Sequence, residues 1–182
     1  MSNFSLMKFD KEEEHIILVD ENDTEIGTIG KIEAHRLGRL HRAFSVFIFN
    51  AAGELLLQRR ALSKYHSGGL WSNTCCGHPR PGESNVHAAR RRLREEMGID
   101  CECKEIFSFL YQVKFDNNIF EHEYDHVLLG TYSREPRPNP EEACEWKWIT
   151  IETLKRDMLV APDLFTFWMK ISIDKVISHA SI

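Results

Sequence analysis

The chain has 182 residues, of which 42% are hydrophobic and 28% charged, the proportions of one ordinary globular domain large enough to enclose a core. A net charge of −5 gives the surface no general attraction for nucleic acid or anionic membrane. No stretch reaches the roughly 18 apolar residues that span a bilayer, the polar first residues carry no secretory segment, and five cysteines suit reduced thiols in the cytoplasm better than a disulfide framework.

A single domain over 1–182 is expected, with 1–12 a flexible extension. Residues 15–20 form a short β-rich run, and 25–29 follow across the turn-prone Glu21-Asn22-Asp23. Residues 43–50 are apolar and aromatic enough for a buried strand. Ala51-Ala52-Gly53 turns that strand into a second one over 54–60, a hairpin. Residues 61–72 read as loop. A helix is expected over 84–97, stopped by Gly98, with Val86, Ala89, Leu93 and Met97 on one apolar stripe. Two long strands, 101–115 and 120–132, flank Asp116-Asn117-Asn118. A proline-rich loop over 134–140, a short strand over 146–149, and helices over 151–157 and 163–178 complete the chain. The pattern is α/β: a mixed β-sheet sandwich with flanking helices.

The densest chemistry lies at Trp71-Ser72-Asn73-Thr74-Cys75-Cys76-Gly77-His78-Pro79. Gly77 frees the backbone between Cys76 and His78. A free thiol near pKa 8.5 is mostly neutral at neutral pH and can give or take a proton; the other reading of Cys76 is a buried inert thiol. Spacing to His78 favours Cys76 over Cys75 as the reactive one. His35, His41 and His78 form one set of candidate metal ligands, and Glu121 with Glu123 another. Residues two apart on a strand share a face, and paired carboxylates there call for a cation between them. Three imidazoles and two carboxylates suit zinc, manganese or magnesium; the alternative is scattered surface residues. A three-residue loop at 116–118 places Tyr111 opposite Glu123, and a two-residue loop turns it to the other face. Trp168, on the last apolar helix, is a core aromatic or a site residue.

Cations gather elsewhere. Arg60 and Lys64 bracket Ala61-Leu62-Ser63, Lys31 follows Gly30, and Arg92 lies four residues before Glu96, on the same helix face. Each is a solvated charge or part of a diphosphate site, where arginine supplies bidentate geometry. The helix and the loop before it, from Gly77 through Glu83 to Arg91, Leu93, Glu95, Glu96 and Gly98, look like a Nudix box. Arg92 stands where that box carries a metal-binding glutamate. Such a site can hold phosphates but lacks part of the apparatus that activates water.

These stretches together closely resemble the type I isopentenyl diphosphate isomerases, Nudix-fold relatives that do not hydrolyse their substrate. The resemblance rests on Lys31…His35…His41-Arg42-Ala43-Phe44-Ser45, Arg59-Arg60-Ala61-Leu62-Ser63-Lys64, the Cys76-Gly77-His78-Pro79 core, the altered box, Glu121-His122-Glu123 and Phe167-Trp168-Met169. It implies interconversion of isopentenyl and dimethylallyl diphosphate, a small-molecule reaction of isoprenoid biosynthesis. Cys76 and Glu123 then lie on opposite faces of the alkene, with Tyr111 assisting proton delivery. His35, His41, His78, Glu121 and Glu123 hold one divalent metal (Mn2+, Zn2+ or Mg2+). Glu96 and the Cys76 backbone carbonyl hold Mg2+ on the diphosphate, which Lys31, Arg60, Lys64 and Arg92 bind. The rivals are a Nudix hydrolase of a nucleoside diphosphate derivative, which needs the missing glutamate, and a non-catalytic metal-stabilised binding module.

Overall fold

The computed structural model describes residues 14–115 and 118–180; the expected extension 1–12 and residues 116 and 117 of the turn lie outside the described residues. Strands β1 (His15–Val19) and β2 (Glu25–Gly30) pair antiparallel. The turn between them is held by the Asp20 carboxylate, which accepts from the backbone N–H of Asn22 and of Thr24, each at 2.9 Å. Helix α1 (Lys31–Leu37) follows directly, without a side-chain cap, and ends at Gly38 with φ 64°. The sequence pattern did not predict it, because seven residues are too few for an apolar period to register.

The central strand is β3 (His41–Phe49). It meets β4 (Leu55–Arg60) at Phe49↔Leu55, after which β4 turns away to pair with β5 (Trp71–Ser72) and β9 (Ala143–Ile149). The expected hairpin is therefore a single pairing point from which the strands fan apart. The other partners of β3 are β6 (Cys75–Gly77), antiparallel with Ser45↔Cys76, and β8 (Phe120–Thr131), parallel with His41↔Glu123. These two registers bring the thiol motif and the Glu-His-Glu strand to one end of β3. Residues 61–72, expected to be loop throughout, thus end in a strand, and β6 follows at once.

Strand β7 (Cys103–Lys114) pairs with β8 in a register that sets Tyr111 against Glu123. The Phe115 N–H donates to the Ile119 carbonyl at 2.8 Å, so three positions separate the closing pair, and Asn118 takes φ 57°. Asparagine tolerates this left-handed conformation, and the three-residue alternative is the one adopted.

Helix α2 (Asn85–Met97) is capped by Ser84, whose hydroxyl accepts from the His87 N–H at 3.3 Å, and ends at Gly98 with φ 63°. A Cβ on Gly98 would also lie 2.7 Å from the Arg137 carbonyl oxygen, so glycine is required twice over. The buried seam is Ala88, Ala89, Leu93 and Met97; Val86, expected in it, is 40% exposed. Two alanines let the first turns approach the sheet closely, and Val86 falls outside the contact. Helix α3 (Ile151–Val160) is capped by Thr150. The helix expected over 163–178 is instead a 3-10 turn, Pro162–Leu164, and then α4 (Phe167–His179). Between them Phe165 bridges Trp71, and the Thr166 N–H donates to the Trp71 carbonyl at 2.9 Å. Strand pairing there overrides the helical pattern.

Among the described residues, nine strands join in one mixed sheet, with a core on each face. Phe44, Val46 and Ile48 of β3 pack with Leu93 and Met97 of α2. Phe47 and Phe49 pack on the other side with Met169, Ile173 and Val176 of α4. Each fully buried side chain of this size contributes about 1.5–3 kcal/mol through burial. Among the described residues, no helix is long and apolar enough to cross a membrane.

Candidate active site

A cavity opens between α2 and α4 beside β3; Cys76, Tyr111, Glu121, Glu123 and Trp168 line it together with Lys31, Arg60, Lys64, Arg92 and Glu96. His78 lines it as well, while His35 and His41 lie behind it with no exposed surface.

The histidines arrive from three elements. His35 is on the last turn of α1, His41 opens β3 and His78 follows β6. The Nδ1–H of His35 donates to the Lys31 carbonyl at 2.7 Å and that of His41 to the Arg39 carbonyl at 2.8 Å. Both rings are thereby fixed with bare Nε2 atoms facing inward, the arrangement that orients a metal-binding imidazole. Those two atoms, with His78 Nδ1 and Glu121 Oε2, are buried without a hydrogen-bond partner among the described residues. Leaving a buried polar group unpaired costs about 1–3 kcal/mol, so unpaired nitrogens on three imidazoles whose ring centroids lie 4.7, 5.0 and 5.4 Å apart fit a cation site. His35, His41, His78 and Glu123 each offer an atom within 4.8 Å of the others, a donor set suited to zinc or another first-row ion. Glu121 falls into a second grouping, with His35 and His66. Of the five residues expected from the sequence, His35, His41, His78 and Glu123 thus form one group, and Glu121 belongs to a second that shares only His35 with it.

Protonation follows these contacts. Burial holds His78 down to about 4, against the hydrogen bond its Nε2 makes to Glu123 Oε1 at 3.1 Å. Burial opposes a proton on His35 too, but the adjacent Glu121 carboxylate, 3.4 Å away, lifts its pKa. Glu121 stays well below the usual carboxylate range despite its burial, through its close contacts with Glu123, His35 and His66.

Cys76 faces the cavity from β6, and Cys75, alternating, is fully buried in the α2 core. The Cys76 thiol donates to Asn73 Oδ1 at 3.1 Å and lies 3.7 Å from Ser45 Oγ, which in turn donates to Asp125 Oδ2 at 2.8 Å. Burial, with the Asp125 charge adding to it, pushes the thiol up to about 12, so it keeps its proton at neutral pH. Asp125 itself is raised well above its ordinary value, first by burial and then by the charge of Glu123. Across the cavity the Tyr111 hydroxyl donates to Glu123 Oε2 at 2.7 Å. The Trp168 indole N–H donates to Ser72 Oγ and to Asn73 Oδ1, each at 3.1 Å. Trp168 is thus both a core aromatic and a wall of the cavity.

At the other end the Arg92 guanidinium meets Glu96 Oε1 at 2.6 Å, Glu95 Oε2 at 2.7 Å and Glu142 Oε1 at 3.2 Å. Glu96 also accepts from Gln58 Nε2 at 3.0 Å. Lys64 pairs with Glu142, and Lys31 with Glu14 at 3.1 Å. Arg60 lies over the Trp168 ring, 5.3 Å from its centroid. Arg91 turns away from the cavity to Glu83, 2.8 Å, and to the His78 carbonyl, 3.4 Å, bracing the loop that carries His78. A Cβ on Gly77 would lie 3.0 Å from Phe44 Cζ and 3.3 Å from Arg92 Cγ, so a side chain here would press on both neighbours.

The sequence reading missed His66, Asn73, Ser45, Asp125 and Glu142. Asp125 had a signal: it shares the strand face of Glu121 and Glu123. Asn73 and Ser45 stood inside quoted motifs. His66 and Glu142 lie in irregular segments without periodicity.

The NUDIX domain family model matches residues 39–168. Two relatives from Aromatoleum aromaticum are named Isopentenyl-diphosphate Delta-isomerase. The first is 56% identical over 91% of this chain and 94% of its own length, the second 53% over 93% and 90%. A relative of the same name from Burkholderia multivorans is 50% identical over 90% of this chain and 93% of its own. Among solved structures, one from Deinococcus radiodurans is 26% identical with a TM-score of 0.68, over 81% of this chain and 90% of that one. A Nudix hydrolase from M. smegmatis, 17% identical with a TM-score of 0.53 over 91% and 94%, shares the fold. On these grounds the chain belongs to the isopentenyl-diphosphate Delta-isomerases, within the NUDIX domain family.

Proposed function

We propose that this chain interconverts isopentenyl and dimethylallyl diphosphate by moving one proton onto, and another off, the five-carbon skeleton between Cys76 and Glu123. The observation that carries this reading is that both side chains line one cavity, with the Tyr111 hydroxyl seated on Glu123. One of the two delivers a proton to the terminal methylene carbon; the alkene π pair becomes the new C–H bond and a tertiary carbocation forms. The other removes a proton from the carbon nearer the diphosphate, and that C–H pair becomes the new double bond. No atom is lost and no phosphate is released.

A tertiary carbocation is captured by water, so the site has to be dry. Trp168, 4% exposed, can present its indole face to the cation, worth about 2 kcal/mol when desolvated. Lys31, Arg60, Lys64 and Arg92 would bind the diphosphate, with Lys31, Lys64 and Arg92 exchanging their present carboxylate partners for phosphate oxygens. Glu96 with the Cys76 backbone carbonyl would hold Mg2+ there. His35, His41, His78, Glu121 and Glu123 would hold a second divalent ion, Mn2+, Zn2+ or Mg2+, whose fixed positive charge modulates the acidity of Glu123. Arg92, occupied with Glu95, Glu96 and Glu142, offers no carboxylate where a hydrolase of this fold uses one. A single domain over 1–182 acting in the cytoplasm belongs to the same proposal.

Incubation of Cys76→Ala with isopentenyl diphosphate tests it. Turnover is expected to fall at least about 100-fold, the contribution of a positioned acid or base, with the fold retained. Near-normal turnover removes Cys76 from the chemistry.

A further inference from the structure

We infer that His66 is a positioning residue, which fixes the Glu121 carboxylate for the divalent ion and ties that end of the site to Trp168. This rests on the proposal that Glu121 serves the ion.

His66 is 8% exposed, in the stretch between β4 and β5. Its Nε2 lies 2.7 Å from Glu121 Oε1, closer than the 3.4 Å from His35 Nε2 to the same oxygen. A carboxylate oxygen only accepts, so His66 donates. With Oε1 held in this way, Oε2 is the buried oxygen left without a partner among the described residues. The carboxylate is thereby turned so that one oxygen is engaged and the other is available as a ligand. Outer partners of this kind orient metal ligands and raise their affinity. His66 Nδ1 is turned to Ser67 Oγ, 3.3 Å away, so the ring has one nitrogen on the carboxylate and one on the loop.

The ring is itself locked. It stacks on Phe115 with centroids 5.0 Å apart and an interplanar angle of 14°, and meets Trp168 edge-on at 5.9 Å and 81°. The His66 carbonyl accepts from Arg60 Nη2 at 3.4 Å, and Arg60 lies over the same indole, 5.3 Å from its centroid. One residue therefore touches the carboxylate of the proposed metal centre, the indole facing the proposed carbocation and a cation of the diphosphate end. Ser67, next in the chain, takes φ 52°, a conformation unusual for a residue with a Cβ, and it turns the chain just after the ring is placed.

The test uses Zn2+ alone as the probe, with chelator-stripped protein and a competing chromogenic chelator, and no substrate. His66→Phe keeps an aromatic ring between Phe115 and Trp168 but cannot donate; its Zn2+ affinity is expected to fall about 10- to 100-fold. His66→Gln places an amide N–H near the position of Nε2 and is expected to recover most of that loss. In steady-state assays His66→Phe lowers kcat more than it raises KM. If His66→Phe does not fold, His66→Asn, too short to reach Glu121, replaces it. Wild-type Zn2+ affinity in His66→Phe alongside weakened binding in Glu121→Gln overturns the role of His66 alone. Equal losses in His66→Phe and His66→Gln overturn the hydrogen bond as its cause. Unchanged affinity in Glu121→Gln removes the Glu121 proposal, and the inference falls with it.

Discussion

The Tyr111 hydroxyl sits 2.7 Å from Glu123 Oε2, directly across the β7–β8 pair. Burial, with the Glu123 charge adding to it, raises the Tyr111 pKa well above its ordinary value, so the phenol keeps its proton and donates to the carboxylate. A hydrogen bond to a charged group contributes about 1.5–3 kcal/mol. Tyr111→Phe is therefore expected to lower kcat about 10- to 100-fold with KM near wild type, and to lower the melting temperature by several degrees. Steady-state kinetics and a thermal melt check this; an unchanged kcat leaves the phenol without a part in the chemistry.

Arg92 presents a second relationship, a guanidinium already oriented by Glu96, Glu95 and Glu142 on the cavity wall. Removing it takes a charge-assisted contact from the diphosphate, so Arg92→Ala should raise KM about tenfold or more, with a smaller effect on kcat. A change confined to kcat would contradict its assignment to substrate binding.

The buried imidazole of His78 sets a pH dependence. Free in an unfolded chain it takes up a proton near 6.5; burial in the folded protein delays this to about 4. Between those values the unfolded state binds the extra proton, so stability is fully present above about pH 6.5 and declines as pH falls toward 4. The whole span is worth about 3 kcal/mol. Urea titrations of chelator-treated protein from pH 7 to 4.5 should show this loss, and His78→Gln should show a shallower one. Equal slopes in the two proteins would place the dependence on other groups.

Leu93 is fully buried where α2 meets the sheet beside Phe44 and Val46. Leu93→Ala should cost about 2–5 kcal/mol of stability, read from denaturant midpoints. A loss under 1 kcal/mol would mean that the α2 face repacks around the gap.

The parts of the site legible in the sequence are those fixed by local spacing. Cys76 and His78 flank one glycine, Glu121 and Glu123 alternate along one strand, and Arg92 and Glu96 lie one helical turn apart; geometry follows from chain periodicity alone. The approach of His35 to His41 depends instead on α1 and its left-handed end at Gly38, an element too short to announce itself. Tyr111 stayed open because one loop residue more or less flips its face, and the Phe115–Ile119 pairing decides it. His66 and Glu142 find their partners in Glu121 and Arg92, 55 and 50 residues away in the chain, and nothing local marks them. The start of α4 was misplaced for a similar reason: the pairing of Phe165 with Trp71 is a contact between distant segments.

Proton movement between Cys76 and Glu123 is tested most directly by turnover of isopentenyl diphosphate in deuterated buffer, comparing the wild-type protein with Glu123→Gln. The wild type should yield dimethylallyl diphosphate carrying solvent deuterium in a methyl group, with no free phosphate. Glu123→Gln, with its fold intact, should yield almost none. Deuterated product forming at a near-normal rate in Glu123→Gln, or wild-type product free of solvent deuterium, would contradict the account.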